Sequence, residues 1–263
     1  MRGNAHRRYF CEKLLPPTYA GAQTPRQAAV YAVKTMANRN SIIQNASPAL
    51  QKELARVAQP IDLPQGKILF EQDGQIDLVV FPDRGMVSFV GLTTKGDALE
   101  IAMIGRDGAA GASSVLTDEK AYCRATMQIA GAGTAIPVRV ARDLALAHAE
   151  LRKALVDSEQ LVVRQAIQSA VCVATHDVAS RFARWLLRCR DATQTDILGL
   201  THEYIAQMLA VRRASVSAAA HDLQERGLIR YHRGVIHILD AKGIHDISCE
   251  CYEKQDQVGG AGR

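Results

Sequence analysis

Aromatic residues make up only 5% of this 263-residue chain, which argues against a stacking platform for single-stranded nucleic acid. No run approaches the roughly 18–20 apolar residues needed to span a bilayer, and no apolar h-region follows the start. The six cysteines, Cys11, Cys123, Cys172, Cys189, Cys249 and Cys251, contain no C-x-x-C pair. A zinc ribbon or a four-thiolate cluster is therefore not expected. Walker and G-x-S-x-G segments are also missing, which removes the usual phosphate-cradling loop and nucleophile elbow. These absences lead us to expect a cytoplasmic protein with reduced thiols, no membrane partner and no metal.

Excess charge is missing from most of the chain. The net charge is +5, but residues 1–35 carry Arg2, Arg7, Arg8, Lys13, Arg26 and Lys34 against Glu12 alone. The remainder sums to zero, so local placement has to decide whether nucleic acid is a partner.

With 48% apolar and 22% charged residues, the composition is that of an ordinary globular chain of one or two domains. Residues 1–37 lack periodicity and include the loop signal "LLPPTYAGAQTP", so they read as a flexible basic extension. In "SPALQKELARV" Ser47 is a helix N-cap and Pro48 the first helical residue, with Leu50, Leu54 and Val57 on one face. From Ile61 to Val140 turn signals recur about every ten residues: "PQG", "QDG", "PDRG", "TKGD" and "GRDG". The short runs between them ("KILF", "LVVF", "MVSFV", "LEIAMI") predict an all-β sandwich or barrel.

A helical pattern follows from about Arg142 to Cys189, with a break near His176–Asp177. Leu151, Leu155, Ser158, Val162, Gln165, Ser169 and Cys172 alternate four- and three-residue steps. That spacing suits the seam of a two-helix coiled coil or a helix packed on its own domain. Cys172 on this seam is either a small core residue or a redox-responsive thiol facing its mate in a second copy.

The most informative stretch is "LTHEYIAQMLAVRRASVSAAAHDLQERGLIRYHRGVIHIL". Thr201 is a helix N-cap, and Ile205, Met208 and Leu209 make an apolar face with Ala206 at a close crossing. After the short link "AVRR", Val216, Ala219, Ala220 and Leu223 define the buried face of a second helix. Its other face is Arg213, Ala214, Ser217, Ala218 and His221. Two short helices joined by a tight turn, the second small and polar outside, form a helix-turn-helix. The small side chains allow close approach to base edges in a major groove. An Arg at the helix start can bond guanine O6 and N7. Gly227 ends the helix, and "LIRYH" and "VIHIL" flank "RG" as two strands of a wing with Arg233 at its tip.

These features together resemble the Crp/Fnr family of bacterial transcription regulators, over roughly residues 38–248. The resemblance implies an α+β protein. A double-stranded β-helix or β-roll (jelly-roll-like) sensor domain would occupy 38–147, a dimerisation helix 148–176 and a winged helix-turn-helix 177–248, with a tail over 249–263. It implies a homodimer on a two-fold symmetric double-stranded DNA operator, with RNA polymerase as a further partner. Arg213 matches the base-reading Arg; Arg212 and Thr201 match phosphate-contacting positions. Ser215, Ser217, His221 and Arg233 complete the candidate DNA-binding set.

Family members that bind cyclic nucleotides use a segment here represented by Gly111, Ala112, Arg124 and Thr126. Ala112 stands at the Glu position that would accept from a ribose hydroxyl, so a cyclic nucleotide is not the expected effector. The N-terminal cysteine cluster of oxygen-sensing iron–sulfur members is absent, and His148 and His176 give no haem signature. The cofactor stays open. Two rivals remain: an effector-independent regulator with a vestigial roll, and a thiol enzyme using Cys123 with His148 or His176. The "CEC" at 249–251 reads as an inert pair of tail thiols or as a metal-binding or oxidisable one.

Overall fold

A computed structural model of the chain describes residues 39–256. The expected basic extension over 1–37 lies outside the described residues. Helix α1 (Ser41–Gln44) leads into α2 (Pro48–Val57), capped as its sequence dictates: the Ser47 hydroxyl accepts from Leu50 N at 3.3 Å. Leu50 and Leu54 of α2 are buried in the first core.

Five strands follow: β1 (Gln59–Leu63), β2 (Ile68–Phe70), β3 (Leu78–Leu92), β4 (Ala98–Ile104) and β5 (Arg124–Pro137). They form an antiparallel sheet in the order β1-β5-β3-β4, with β2 also paired to β5. The expected strands "LVVF" and "MVSFV" prove to be one strand, β3. The "PDRG" between them is a bulged bend rather than a hairpin turn, with pairing to β5 shifting at Pro82/Arg84 and Arg84/Met86. Gly85 permits the bend. Its φ is +83°, and a Cβ there would lie 2.6 Å from the carbonyl oxygen of Ile129. The strands curl around a core that includes Leu63, Phe70, Val79, Phe89, Ile104, Ala112, Met127 and Ile136. This is the expected roll.

The helical region is three helices. After α3 (Ala112–Thr117), α4 (Val138–Ala147) ends at His148, whose φ and ψ of −121° and 101° are extended. Helix α5 (Ala149–Thr175) ends at His176, also extended, and Asp177 caps α6 (Val178–Thr193) by accepting from Ala179 N and Ser180 N. The break at His176–Asp177 was legible; the one at His148 was not.

The predicted seam takes the second of its two readings. Leu151, Leu155, Ser158, Gln165, Ser169 and Cys172 are buried against their own chain. The reason is β4, the sheet's edge strand, and the turn after it. Gln165 Oε1 accepts from Met103 N at 2.7 Å, Ser169 Oγ donates to Ile101 O at 3.0 Å, and Ser158 Oγ accepts from Ala109 N at 3.0 Å. Polar side chains face inward because backbone groups there need partners. The exposed apolar side chains of α5 are others: Val156, Val163, Ile167, Val171 and Val173.

The C-terminal part adds β6 (Ile197–Gly199), α7 (His202–Met208), α8 (Arg213–Glu225), β7 (Ile229–His232), β8 (Val235–Ile238), α9 (Ala241–Ile247) and α10 (Cys251–Asp256). Its three strands pair in the order β6-β8-β7. A second core joins it to the roll: Met86, Val90 and Met103 pack with Phe182, Trp185, Leu186, Ile205 and Val216. Within this junction Glu100 of β4 is buried, accepting from Trp185 Nε1 at 2.9 Å and from the Ser88 hydroxyl, which also meets Gln128. Burial, outweighing these hydrogen bonds and the Arg188 and Arg184 charges, pushes the Glu100 carboxyl up to about 7. Among the described residues, no helix is long and apolar enough to cross a membrane.

Candidate nucleic-acid interface

Local sequence sets each part of the C-terminal motif. The Thr201 hydroxyl accepts from Tyr204 N at 3.2 Å and starts α7, with Glu203 in the first turn where a carboxylate suits the helix dipole. The link to α8 bends through Ala210, whose φ is +51°; Val211 N donates to Ala206 O at 2.9 Å. Arg181 of α6 braces the same link, donating to Leu209 O at 2.5 Å.

On α8 the division of faces follows the sequence. Val216, Ala219, Ala220 and Leu223 are buried, whereas Arg213, Ala214, Ala218 and His221 are exposed. The helix ends in a Schellman motif, with Gly227 N donating to Gln224 O and Leu228 N to Leu223 O, both at 2.9 Å. Gly227 supplies the left-handed residue, its φ +72°. The wing is equally local. Arg233 and Gly234 have φ of +48° and +81°, the two positive values of a tight hairpin turn between β7 and β8.

The candidate DNA-binding residues differ in their freedom. The Arg213 side chain is 69% exposed and approaches Glu203 loosely, at 3.9 Å. Arg212 at the N-cap and Arg233 at the wing tip are exposed. Ser215 is half-buried in the first turn. Ser217 is engaged, its Oγ 3.0 Å from His202 Nδ1. The sequence reading missed His202, which also stacks on Tyr231 with ring centroids 4.0 Å apart, linking α7 and α8 to the wing. Burial, with the Arg213 charge, holds His202 below its ordinary pKa, favouring the neutral ring.

The candidate effector residues are engaged with their own chain. Gly111 is the left-handed N-cap of α3, Ala112 is fully buried, and Thr126 Oγ1 donates to Lys67 O at 3.3 Å. Arg124 is neither free nor aimed at a phosphate position: Glu71 holds it through Nε at 2.7 Å and Nη2 at 3.2 Å.

Cys172 takes the first of its two readings, a buried residue, while the expectation for the two tail thiols needs correction. Cys172 does not face solvent or a second copy; its Sγ lies 3.5 Å from that of Cys249, in a pocket shared with Cys251. The hydrogen bond from Cys249, helped by the Arg184 charge, holds the Cys172 thiol down at about 5. Nor do Cys249 and Cys251 lie on an open tail, since both are buried beside α5. The signal that could have found them was the i, i+4 pair Cys172 and His176 on one helix face, together with C-x-C. Cys123 is a poor nucleophile: burial, then the Glu159 charge, pushes its thiol up to about 11. His148 and His176 are paired elsewhere, with Glu53 at 3.2 Å and Glu250 at 3.0 Å.

The fold and this surface define a winged helix-turn-helix DNA-binding protein carried on a β-roll. Residues 180–247 match the Crp-like helix-turn-helix domain. A global nitrogen regulator from Synechococcus elongatus is 23% identical over 210 residues, spanning 75% of this chain and 92% of that protein. Among solved structures, FixK2 from Bradyrhizobium japonicum has a TM-score of 0.63 at 15% identity, over 73% of this chain and 98% of its own. The c-di-GMP-responsive global regulator CLP of Xanthomonas campestris has a TM-score of 0.61 at 12% identity, covering 73% and 99%. Residues 180–247 thus carry a Crp-like helix-turn-helix domain, and the chain resembles in fold solved regulators of the Crp/Fnr family.

Proposed function

We propose that the protein binds a two-fold symmetric operator as a homodimer and regulates transcription in response to a signal received by the roll. The observation that carries this reading is the open outer face of α8, where Arg213, Ala214, Ala218 and His221 are uncovered beside an exposed wing tip. Such a face can enter a major groove. In this reading Arg213 bonds a guanine and Arg212, Thr201, Ser215 and Arg233 lie along phosphates. Ser217, tied to His202, positions the helix more than it reads a base. His221 stands two turns further along and reaches the groove edge.

Dimerisation runs through the exposed Val156, Val163, Ile167 and Val171 of α5, which recur on one stripe of the helix. The roll would occupy 38–147, the dimerisation helix 148–176 and the DNA-binding part 177–248. The pairing of Arg124 with Glu71 supports a signal other than a cyclic nucleotide held by that guanidinium. An effector-independent regulator is favoured over the present reading only by the well-filled roll. The burial of Cys123, which pushes its thiol up, speaks against the thiol-enzyme rival.

The test is selection of bound sites from random double-stranded DNA by the full chain and by Arg213→Ala. A palindromic site with half-sites about one helical turn apart is expected. The variant should lose about 1–3 kcal/mol of discrimination at one position per half-site. A site without symmetry, or unchanged selectivity in the variant, refutes the reading.

A further inference from the structure

Four side chains unused by the DNA-binding reading meet where α5 ends. Cys172 and His176 lie one helical turn apart, His176 as the residue that ends α5; Cys249 and Cys251 flank Glu250 at the start of α10. The Cys172 and Cys249 sulfurs are 3.5 Å apart, and Cys251 Sγ is 3.6 Å from His176 Nδ1. All four donor atoms fall within 4.8 Å of one another.

We propose that Cys172, His176, Cys249 and Cys251 bind one zinc-type divalent cation per chain in a tetrahedral site. Zinc–thiolate bonds of about 2.3 Å place tetrahedral sulfurs roughly 3.7 Å apart, the scale of separation found here. An iron–sulfur cluster spreads its thiolates farther, because irons and sulfides stand between them. A donor set of three thiolates and one imidazole selects soft or borderline metals over magnesium and calcium.

The surroundings fit the same ion. Glu250 accepts from His176 Nε2 at 3.0 Å, which leaves Nδ1 as the lone-pair donor facing the sulfurs. This is the carboxylate–histidine arrangement that orients metal-bound imidazoles. Gln168 Nε2 donates to Cys251 Sγ at 2.9 Å, a bond that favours thiolate. Arg184 is buried, and its Nε and Nη1 have no hydrogen-bond partner among the described residues. Its charge acts on both Cys172 and Cys249. Three thiolates around a divalent ion carry one net negative charge, and this guanidinium balances it. Loading the site leaves all three cysteines as thiolates, any remaining thiol protons passing to solvent, and changes no oxidation state.

The position gives the ion a task. Two ligands sit on the roll side of the His176–Asp177 bend, and two follow the winged helix. A bound ion therefore fastens the far end of the DNA-binding part to the end of α5 and fixes the angle at the bend.

The test uses the full chain, purified under reducing conditions, loaded with Zn²⁺ or Co²⁺ and desalted. About one retained ion per chain is expected, with the intense visible bands of tetrahedral cobalt–thiolate coordination. Cys249→Ser and Cys251→Ser should each lower retention at least about tenfold, with the far-ultraviolet circular dichroism unchanged. Cys123→Ser should retain the ion. In the unaltered protein, bound zinc should slow alkylation of Cys172, Cys249 and Cys251, a readout that needs no variant to fold. Negligible retention refutes the site, as do a weak octahedral cobalt spectrum, iron with sulfide in place of zinc, unchanged binding in both serine variants, or no protection.

Discussion

Glu100→Gln should change how stability depends on pH. The carboxyl is buried between roll and DNA-binding part and titrates at about 7 instead of 4.5. The folded state therefore keeps its proton over a range in which the unfolded chain has released it. Between those two values stability falls as pH rises; it is fully present below the lower and lost through the upper. At ~1.4 kcal/mol per pH unit, the whole interval amounts to about 3 kcal/mol, of which about 2–3 kcal/mol falls between pH 5 and pH 8. Glutamine keeps the shape and can still accept from Trp185, but it has no proton to lose. Urea unfolding of both proteins, at equal concentration and about pH 5, 6, 7 and 8, isolates this one group by difference. The variant should gain on the parent by that amount across the series. Two stability curves that stay parallel would refute the buried, proton-holding Glu100.

Two further outcomes follow from the fold. On the proposed dimer, Ile167→Asp places a charge on the exposed apolar stripe of α5 in both copies, and sedimentation should show dimer affinity weakened about 100-fold, with the thermal transition of the chain little altered. Gly85→Ala should destabilise by roughly 1–3 kcal/mol in denaturant, since a Cβ at φ +83° meets the Ile129 carbonyl.

The DNA-binding motif was legible because its determinants are local. The Thr201 cap, the Gly227 stop and the Arg233–Gly234 turn each act within a few residues, and each forms as expected. The orientation of α5 was not legible. Its two stripes share almost the same spacing, and only the exposed backbone of β4 and of the turn after it makes Ser158, Gln165 and Ser169 the inward ones. "PDRG" carried a turn signature, yet β5 continued pairing past it and drew it into a bulge. The thiol cluster depends on contacts such as that of Cys172 with Cys249, which are 77 residues apart. Spacing within either half shows one pair of the cluster and nothing of the other.

An unpaired strand edge invites another chain to add a strand, the first step of many aggregates. In this molecule Gln165 and Ser169 occupy the hydrogen-bonding positions that such an intruder would need along β4. The inner face of α5 thus guards the sheet against such an intruder, and hydrophobic replacements at those two sites would remove that guard.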